Sequence, residues 1–362
     1  MTTDVVSQLA YFHGKPQSSG ELRTQMSDFK VFEQLPFAPC GEGEHLLIHI
    51  RKTGANTVYV ARQLAKYFKV KEALVSYAGL KDRFAVTEQW FGVHVPGKQV
   101  YDLSDLVIDG VEVLSYARHN KKLKTGALTG NRFEITLRNV THIEALKEKW
   151  QHIVTHGVPN YFGEQRFGID GGNIARAGEL FAGTKVKDKK KRGIYLSAAR
   201  SYLFNKVVSQ RIENKTFDVL TSGDVCMLAG TQSVFLAEEI DQVLTGRLTE
   251  KDIDITAPMW GAGELKTTGP VLAFEQDITA QHPDFCQGLA KFGLKQERRR
   301  IRLNVSDTNI STDQDCVTLT FALPSGCYAT TILRELIDYT DLTERAVVRN
   351  TGAADETKPV AG

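Results

Sequence analysis

The chain has 362 residues, with 45 Lys and Arg against 43 Asp and Glu, for a formal charge of +2. Hydrophobic residues make up 42% and charged residues 24%, which excludes wholesale disorder and supplies core for one large domain or two. No run of about 18 apolar residues occurs, and MTTDVVSQLAYFHGK at the start lacks the pattern of a secretory signal, so a cytoplasmic protein with no membrane partner is expected.

In chain order, FKVFEQLPF from Phe29 and HLLIHIRKTG from His45 read as strands ending in turn residues. NTVYVARQLAKYF reads as a helix: Asn56 can cap it, and Val60, Leu64 and Phe68 recur at helical spacing. ALVSYAG is a short strand bounded by Gly79, and VTEQWFGVHVPG is the next, stopped by Pro96 and Gly97. EVLSYARH and NRFEITLRNV read as a paired ribbon joined by the basic KKLKTGALTG. HIEALKEKWQHIVTH is an amphipathic helix with Ile143, Leu146, Trp150 and Ile153 on one face. At Gly157-Val158-Pro159-Asn160 the pattern changes, and residues 160–300 become richer in helical periodicity. LSAARSYLFNKVVSQRIE, from Leu196, is a long helix with a cationic side. Strand pattern returns after Arg302 in DCVTLTFALPSG, and YATTILRELIDY after Gly326 is a last helix. This order implies a discontinuous α+β domain, 1–156 plus 304–342, interrupted by a second domain at 157–303. The polar tail, 343–362, is expected to be disordered.

Cys40, Cys226, Cys286, Cys316 and Cys327 are irregularly spaced with no C-x-x-C pair, and read as reduced thiols. His45 and His49 could share a metal on a helix, but on a strand they stand about 13 Å apart. No G-x-G-x-x-G, P-loop or G-x-S-x-G motif is found. Neither a metal nor a cofactor is expected.

The near-zero total charge conceals segregation. Residues 185–211 carry nine basic residues against Asp188, residues 115–138 six against Glu134, and residues 291–302 six against Glu297. Residues 236–254 hold six acids against Arg247 and Lys251. One such run would be an ordinary solvated face. Three of them fit a polyanion, which responds to local stripes of charge through counterion release.

GLKDRFAVTEQWF, from Gly79, is the unusual stretch: a strand ends in glycine, then Asp82 stands between Lys81 and Arg83 before the next strand. Flanking cations favour an ionised carboxylate, which can serve as nucleophile, general base or metal ligand. The same residues would also make a plain solvent-exposed turn. A single carboxylate disfavours glycoside hydrolysis by a carboxylate pair.

This stretch resembles the catalytic motif of the TruD family of tRNA pseudouridine synthases, a Gly, then Lys-Asp-(Lys/Arg), then Thr-x-Gln. The motif stands here as Gly79, Lys81, Asp82, Arg83, Thr87 and Gln89. YFHGKP at Tyr11, DFKVFE at Asp28, GNRFEITLR at Gly130, GVPNYFGEQRFG at Gly157, LSAARSYLFN at Leu196 and LPSGCYATTILREL at Leu323 extend the likeness in order over residues 11–340. The resemblance implies a pseudouridine-synthase α+β fold, with a mixed or antiparallel sheet in the catalytic domain and an inserted α/β TRUD domain. It implies a cofactor-independent isomerase acting on uridine 13 in the D-arm of tRNA. The N1–C1′ bond breaks, the uracil turns, and C5 joins C1′.

By the same resemblance Asp82 is the catalytic carboxylate, either attacking C1′ or starting a glycal-type route. Lys81 is the adjacent family lysine; neighbours on an extended chain point to opposite faces, so a more distant base can be the partner of Asp82. Phe133 is the family aromatic that can stack on uracil, although a strand phenylalanine is ordinarily core. Asn131 lies on the same strand face, and Phe29 and Tyr328 occupy further aromatic positions; Tyr328 stands where relatives are expected to carry Phe. Extruding a paired uridine costs a few kcal/mol. Phosphate contacts from Lys121, Lys122 and Lys124 on the catalytic domain and from Lys189, Lys190, Lys191 and Arg192 on the insertion, flanking one cleft, would offset it. tRNA is the expected partner, no protein partner is implied, and a monomer suffices. The alternatives are a non-catalytic RNA-binding protein, which the intact Asp82 disfavours, and another RNA-modifying enzyme such as a methyltransferase, whose Gly-rich donor site is not found.

Overall fold

In the computed structural model, which describes residues 5–97 and 99–343, the alternating segments of the first half become strands. They are β1 (Ser19–Leu22), β2 (Phe29–Gln34), β3 (His45–Thr53), β4 (Val75–Tyr77), β5 (Val86–His94), β6 (Val111–His119) and β7 (Gly130–Arg138), with α1 (Thr57–Tyr67) after β3 and α2 (Ile143–His156) after β7. The next stretch forms β8 (Val158–Pro159), α3 (Glu164–Phe167), α4 (Gly172–Phe181), α5 (Lys189–Glu213), β9 (Asp224–Leu228), β10 (Val234–Ala237), α6 (Gln242–Thr249), β11 (Ile253–Met259), α7 (Gly269–Ala280), α8 (Pro283–Lys291), β12 (Glu297–Arg300) and β13 (Arg302–Leu303). β14 (Ser306–Asp313), β15 (Cys316–Pro324), α9 (Ala329–Leu336) and β16 (Asp338–Asp341) follow. The tail expected to be disordered lies, beyond Thr343, outside the described residues.

The described residues divide into two compact units. One holds residues 16–154, 305–329 and the stretch from Leu336, and is built on a sheet of order β14-β15-β7-β2-β5-β3-β6. β4 pairs with β5, and β1 lies between β7 and β16. β2–β5 and β1–β16 are parallel and the other pairs antiparallel, so the sheet is mixed and the unit α+β. Period two puts Leu46, Ile48 and Ile50 on one face with Phe91 and Val93. The buried residues of α1, Val60, Ala61, Leu64 and Ala65, close over them. Asn56 caps α1, its side chain accepting the Val58 N–H at 2.8 Å. On α2 the buried residues are Leu146, Trp150 and Ile153, and Trp150 packs on Phe321 of β15 with ring centroids 5.8 Å apart.

The ribbon expected of β6 and β7 does not form. β6 pairs with β3 along nearly its whole length, and β7 lies between β15 and β2. Their connection is no turn, because Leu123 within it is buried against Leu47 and Ala78. The last helix also ends sooner than expected: Asp338 and Tyr339 belong to β16, paired with Ser19 and Gly20.

The other unit holds the amino-terminal stretch to Lys15, residues 155–304 and Thr330–Glu335. Its sheet has the order β10-β9-β11-β12. α5 begins at Lys189 rather than Leu196, because the Asp188 side chain accepts the Lys190 and Lys191 N–H groups at 2.8 and 3.2 Å. Ala198, Ala199, Leu203, Phe204, Val207 and Val208 form its buried side. Gly157, at φ +70°, could carry no side chain without its Cβ coming within 2.7 Å of the Leu303 carbonyl oxygen. Two short segments fall in this unit rather than with the discontinuous domain read from the sequence. Glu335 of α9 accepts the His13 N–H at 3.0 Å, and the Arg334 guanidinium lies 3.7 Å over the Tyr11 ring. Thr331 Oγ1 donates to the Tyr161 carbonyl at 3.2 Å.

Candidate active site

The GLKDRF segment forms the loop between β4 and β5, and a net of hydrogen bonds fixes its main chain. Gln89 Nε2 donates to the Gly79 carbonyl at 2.5 Å, and Gln89 Oε1 accepts the Thr57 hydroxyl at 3.0 Å. Thr57 Oγ1 in turn accepts the Lys81 N–H at 3.2 Å. Lys52 Nζ donates to the Asp82 carbonyl at 2.9 Å, and Arg83 Nε to the Gly54 carbonyl at 3.1 Å. The glutamine that closes the motif therefore holds the loop that carries the aspartate. A plain solvated turn would not be built this way.

Neither neighbouring cation pairs with Asp82. The Lys81 ammonium turns to Glu33 at 2.6 Å, where both side chains are buried, and Glu33 also accepts the Trp90 N–H at 3.1 Å. The partner of Asp82 is Arg23, just after β1, with Nη2 to Oδ2 at 3.4 Å. Asp82 keeps 42% of its side chain exposed against 8% for Arg23, so the carboxylate is accessible while the guanidinium is not. Asp341 of β16 takes the other end of the guanidinium at 2.7 Å, and the Phe29 ring lies 4.3 Å beneath it. A buried cation shared by two carboxylates fixes the charge beside Asp82 in direction as well as sign.

Strand register gathers the remaining residues. Asn131 of β7 stands opposite Glu33 of β2, and its Oδ1 is buried without a hydrogen-bond partner among the described residues. Phe133, two residues on and on the same face, is buried: its ring stacks on Phe321 at 5.4 Å and meets the Phe29 edge at 6.3 Å. Gly130 opens the strand because a Cβ there would stand 2.2 Å from the Leu323 carbonyl oxygen. Leu323 is opposite Asn131, so the loop bearing the half-buried Tyr328 leaves β15 beside this group. Asp82, Lys81, Phe29, Asn131, Phe133 and Tyr328 all belong to the sheet unit.

Arg23, Glu33, Lys52 and Asp341 were missed in the sequence. Glu33 and Lys52 had a signal: each is a charged residue at an inward position of an apolar alternation, Lys52 following Leu46, Ile48 and Ile50. Arg23 and Asp341 had none, since their meeting depends on the pairing of β1 with β16. His49, stacked on Trp90 at 4.6 Å, is half-buried, and that burial lowers its pKa. Among the described residues no group of His, Cys, Asp and Glu could hold a metal ion, and no helix is long and apolar enough to cross a membrane.

The basic runs separate on inspection of their partners. Lys121, Lys122 and Lys124 are exposed in the β6–β7 connection, and Lys189, Lys190 and Lys191 are exposed on the first turn of α5 with Arg192 half-buried. The run at 291–302 is different. Arg298 is buried against Glu275 at 2.9 Å, Arg300 pairs with Asp254 at 2.9 Å, and Arg299 reaches Asn160 at 2.7 Å while covering the Phe162 ring. These three arginines are engaged inside the unit, whereas Lys291 and Lys295 of the same run are exposed.

The sequence profile of the family described as tRNA pseudouridine synthase D (TruD) matches residues 6–188 and 182–336. A tRNA pseudouridine synthase D of Colwellia psychrerythraea is 66% identical over 352 residues, covering 94% of this chain and 96% of its own. One from Shewanella oneidensis is 50% identical over 339 residues, covering 94% and 91%. A Methanosarcina mazei crystal structure, solved as a candidate tRNA pseudouridine synthase D, superposes with a TM-score of 0.70 at 21% identity, over 92% of this chain and 98% of that one, and shows the shared fold.

Proposed function

The chain belongs to the tRNA pseudouridine synthase D (TruD) family, and from that premise we propose that it isomerises a uridine of tRNA to pseudouridine, acting at uridine 13 of the D-arm. The observation that carries this reading is the accessible Asp82 carboxylate, tied to the buried guanidinium of Arg23 on a loop fixed by hydrogen bonds. Such preorganisation is what a reacting carboxylate needs, because loss of position costs rate steeply.

In this reading Asp82 begins the reaction, by attack at C1′ or by taking a ribose proton in a glycal-type route. The N1–C1′ bond breaks, the freed uracil rotates while held, C5 bonds to C1′, and the C5 proton is lost as N1 regains one. No cofactor is needed, since no net oxidation or group transfer occurs. Asn131, with its unpaired buried acceptor, is suited to a donor on the uracil edge. Phe29, Phe133 and Tyr328 supply aromatic surface for the extruded base. Lys81 supports the site through Glu33. Lys121, Lys122, Lys124, Lys189, Lys190, Lys191 and Arg192 meet tRNA phosphates, and residues 157–303 serve as the inserted TRUD domain. One chain supplies every named residue, so a monomer acting on cytoplasmic tRNA suffices.

The test is tritium release from C5-labelled uridine in tRNA. Wild-type protein is expected to release tritium from the uridine at position 13. Folded protein that binds this tRNA but releases none would favour a non-catalytic RNA-binding role.

A further inference from the structure

Lys52 is completely buried. Buried lysines are rare and ordinarily carry a carboxylate partner. Among the described residues none lies within ion-pair distance of Lys52. Its Nζ donates instead to two main-chain carbonyls, of Ala55 at 2.8 Å and of Asp82 at 2.9 Å. The first is in the turn into α1, and the second belongs to the proposed catalytic residue.

The fold delivers the ammonium to this point. Lys52 stands near the end of β3, on the inward face it shares with Ile48 and Ile50, paired with Thr87 of β5 and Val111 of β6. The charged groups facing it are Asp82, which strengthens its hold on its proton, and Lys81, which weakens it. Arg83 bonds the neighbouring Gly54 carbonyl, and the α1 side chain at this end of the loop is the uncharged Thr57. Burial outweighs these charges and brings the Lys52 pKa down to about 8. A polar side chain this costly to bury needs a reason, and its contacts give one: it grips the main chain at the reacting residue.

We propose that Lys52 is a positioning residue for the reaction at Asp82, its buried ammonium fixing that residue's main chain and so the direction of its carboxylate. The inference rests on the isomerase reading above. Lys52 touches no substrate; it acts through Asp82.

The test compares wild type with Lys52→Met and Lys52→Arg. Lys52→Met is expected to lower the single-turnover rate of pseudouridine formation on the order of 10²-fold, as misplacement by about an ångström does, with tRNA affinity changed less than threefold. The wild-type rate should fall as pH rises through about 8, where the ammonium loses its proton. Lys52→Arg, whose guanidinium stays charged, should lack that limb. Hydrogen exchange reads the loop without substrate: the Lys81 to Arg83 amides should exchange at least tenfold faster in Lys52→Met. An unchanged rate in Lys52→Met overturns the proposal, as does an unchanged alkaline limb in Lys52→Arg. Should Lys52→Met not fold, the Lys52→Arg limb alone decides. Wild-type protein inactive on tRNA overturns the isomerase reading, and the exchange result then stands or falls by itself.

Discussion

At the scale of single residues, Lys52 makes a stability prediction distinct from its effect on rate. Its folded pKa of about 8 lies below the ordinary lysine value, so between pH 8 and the ordinary value the unfolded chain binds more protons. Stability contributed by this group therefore rises with pH through that window, and at neutral pH the buried charge costs about 3 kcal/mol. Lys52→Met removes that cost but leaves the Ala55 and Asp82 carbonyls without a donor, at about 1–3 kcal/mol each. The terms nearly cancel, so calorimetry at pH 7 should find Tm within a few degrees of wild type while the rate collapses. Phe133 needs a gentler substitution. It stacks on Phe321, so Phe133→Ala would cost about 3–5 kcal/mol and confuse folding with chemistry. Phe133→Leu keeps the core filled and removes the aromatic face. It should lower the single-turnover rate about tenfold, with about 1 kcal/mol lost in urea unfolding; a wild-type rate would make Phe133 a core residue only. The aspartate and lysine of the loop were legible because their motif is contiguous. Arg23, which stands beside Asp82 across 59 positions of sequence, was not, because no local pattern records which strand ends will meet.

At the scale of elements, periodicity located strands and helices well and pairing poorly. β3, α1, β5, β7 and α2 follow from alternation, capping and helical spacing. The false ribbon of β6 and β7 came from joining neighbours in sequence, a rule that holds about two times in three. The buried Leu123 in their connection was the available warning. The basic first turn of α5 does not read as helix in the sequence because lysines there oppose the helix dipole, an expense the Asp188 cap offsets. This geometry makes a clean experiment. Changing Lys189, Lys190 and Lys191 together to Glu places acids where the dipole favours them, so α5 should persist by circular dichroism. tRNA affinity should nonetheless fall, and the slope of log affinity against log salt should shrink by about 0.7–0.9 for each phosphate no longer neutralised. The same change at Lys121, Lys122 and Lys124 should act likewise. Unchanged affinity and slope would remove that group from the RNA-binding surface.

At the scale of the whole molecule, a total charge of +2 says little, since it counts exposed cations such as Lys189 to Lys191 and internal ones such as Arg298 alike. Within the 291–302 run, Arg298 and Arg300 pair with Glu275 and Asp254, while Lys291 and Lys295 are exposed. Composition cannot distinguish the two, because a buried and an exposed arginine count alike. A change of pattern near Gly157 and its reversal after Arg302 are visible in the sequence. The transfer of the amino-terminal stretch and Thr330–Glu335 to the second unit is not, because it depends on contacts such as Arg334 on Tyr11. In the proposed reading, one accessible carboxylate on a fixed loop makes this tRNA-binding fold an isomerase. The measurement that reaches it most directly is single-turnover tritium release with tRNA affinity determined in parallel, for wild type and Asp82→Asn. Asp82→Asn should bind tRNA within about threefold of wild type and show no detectable release, a loss of at least about 10³-fold. Release by Asp82→Asn at a rate near that of wild type would contradict that reading.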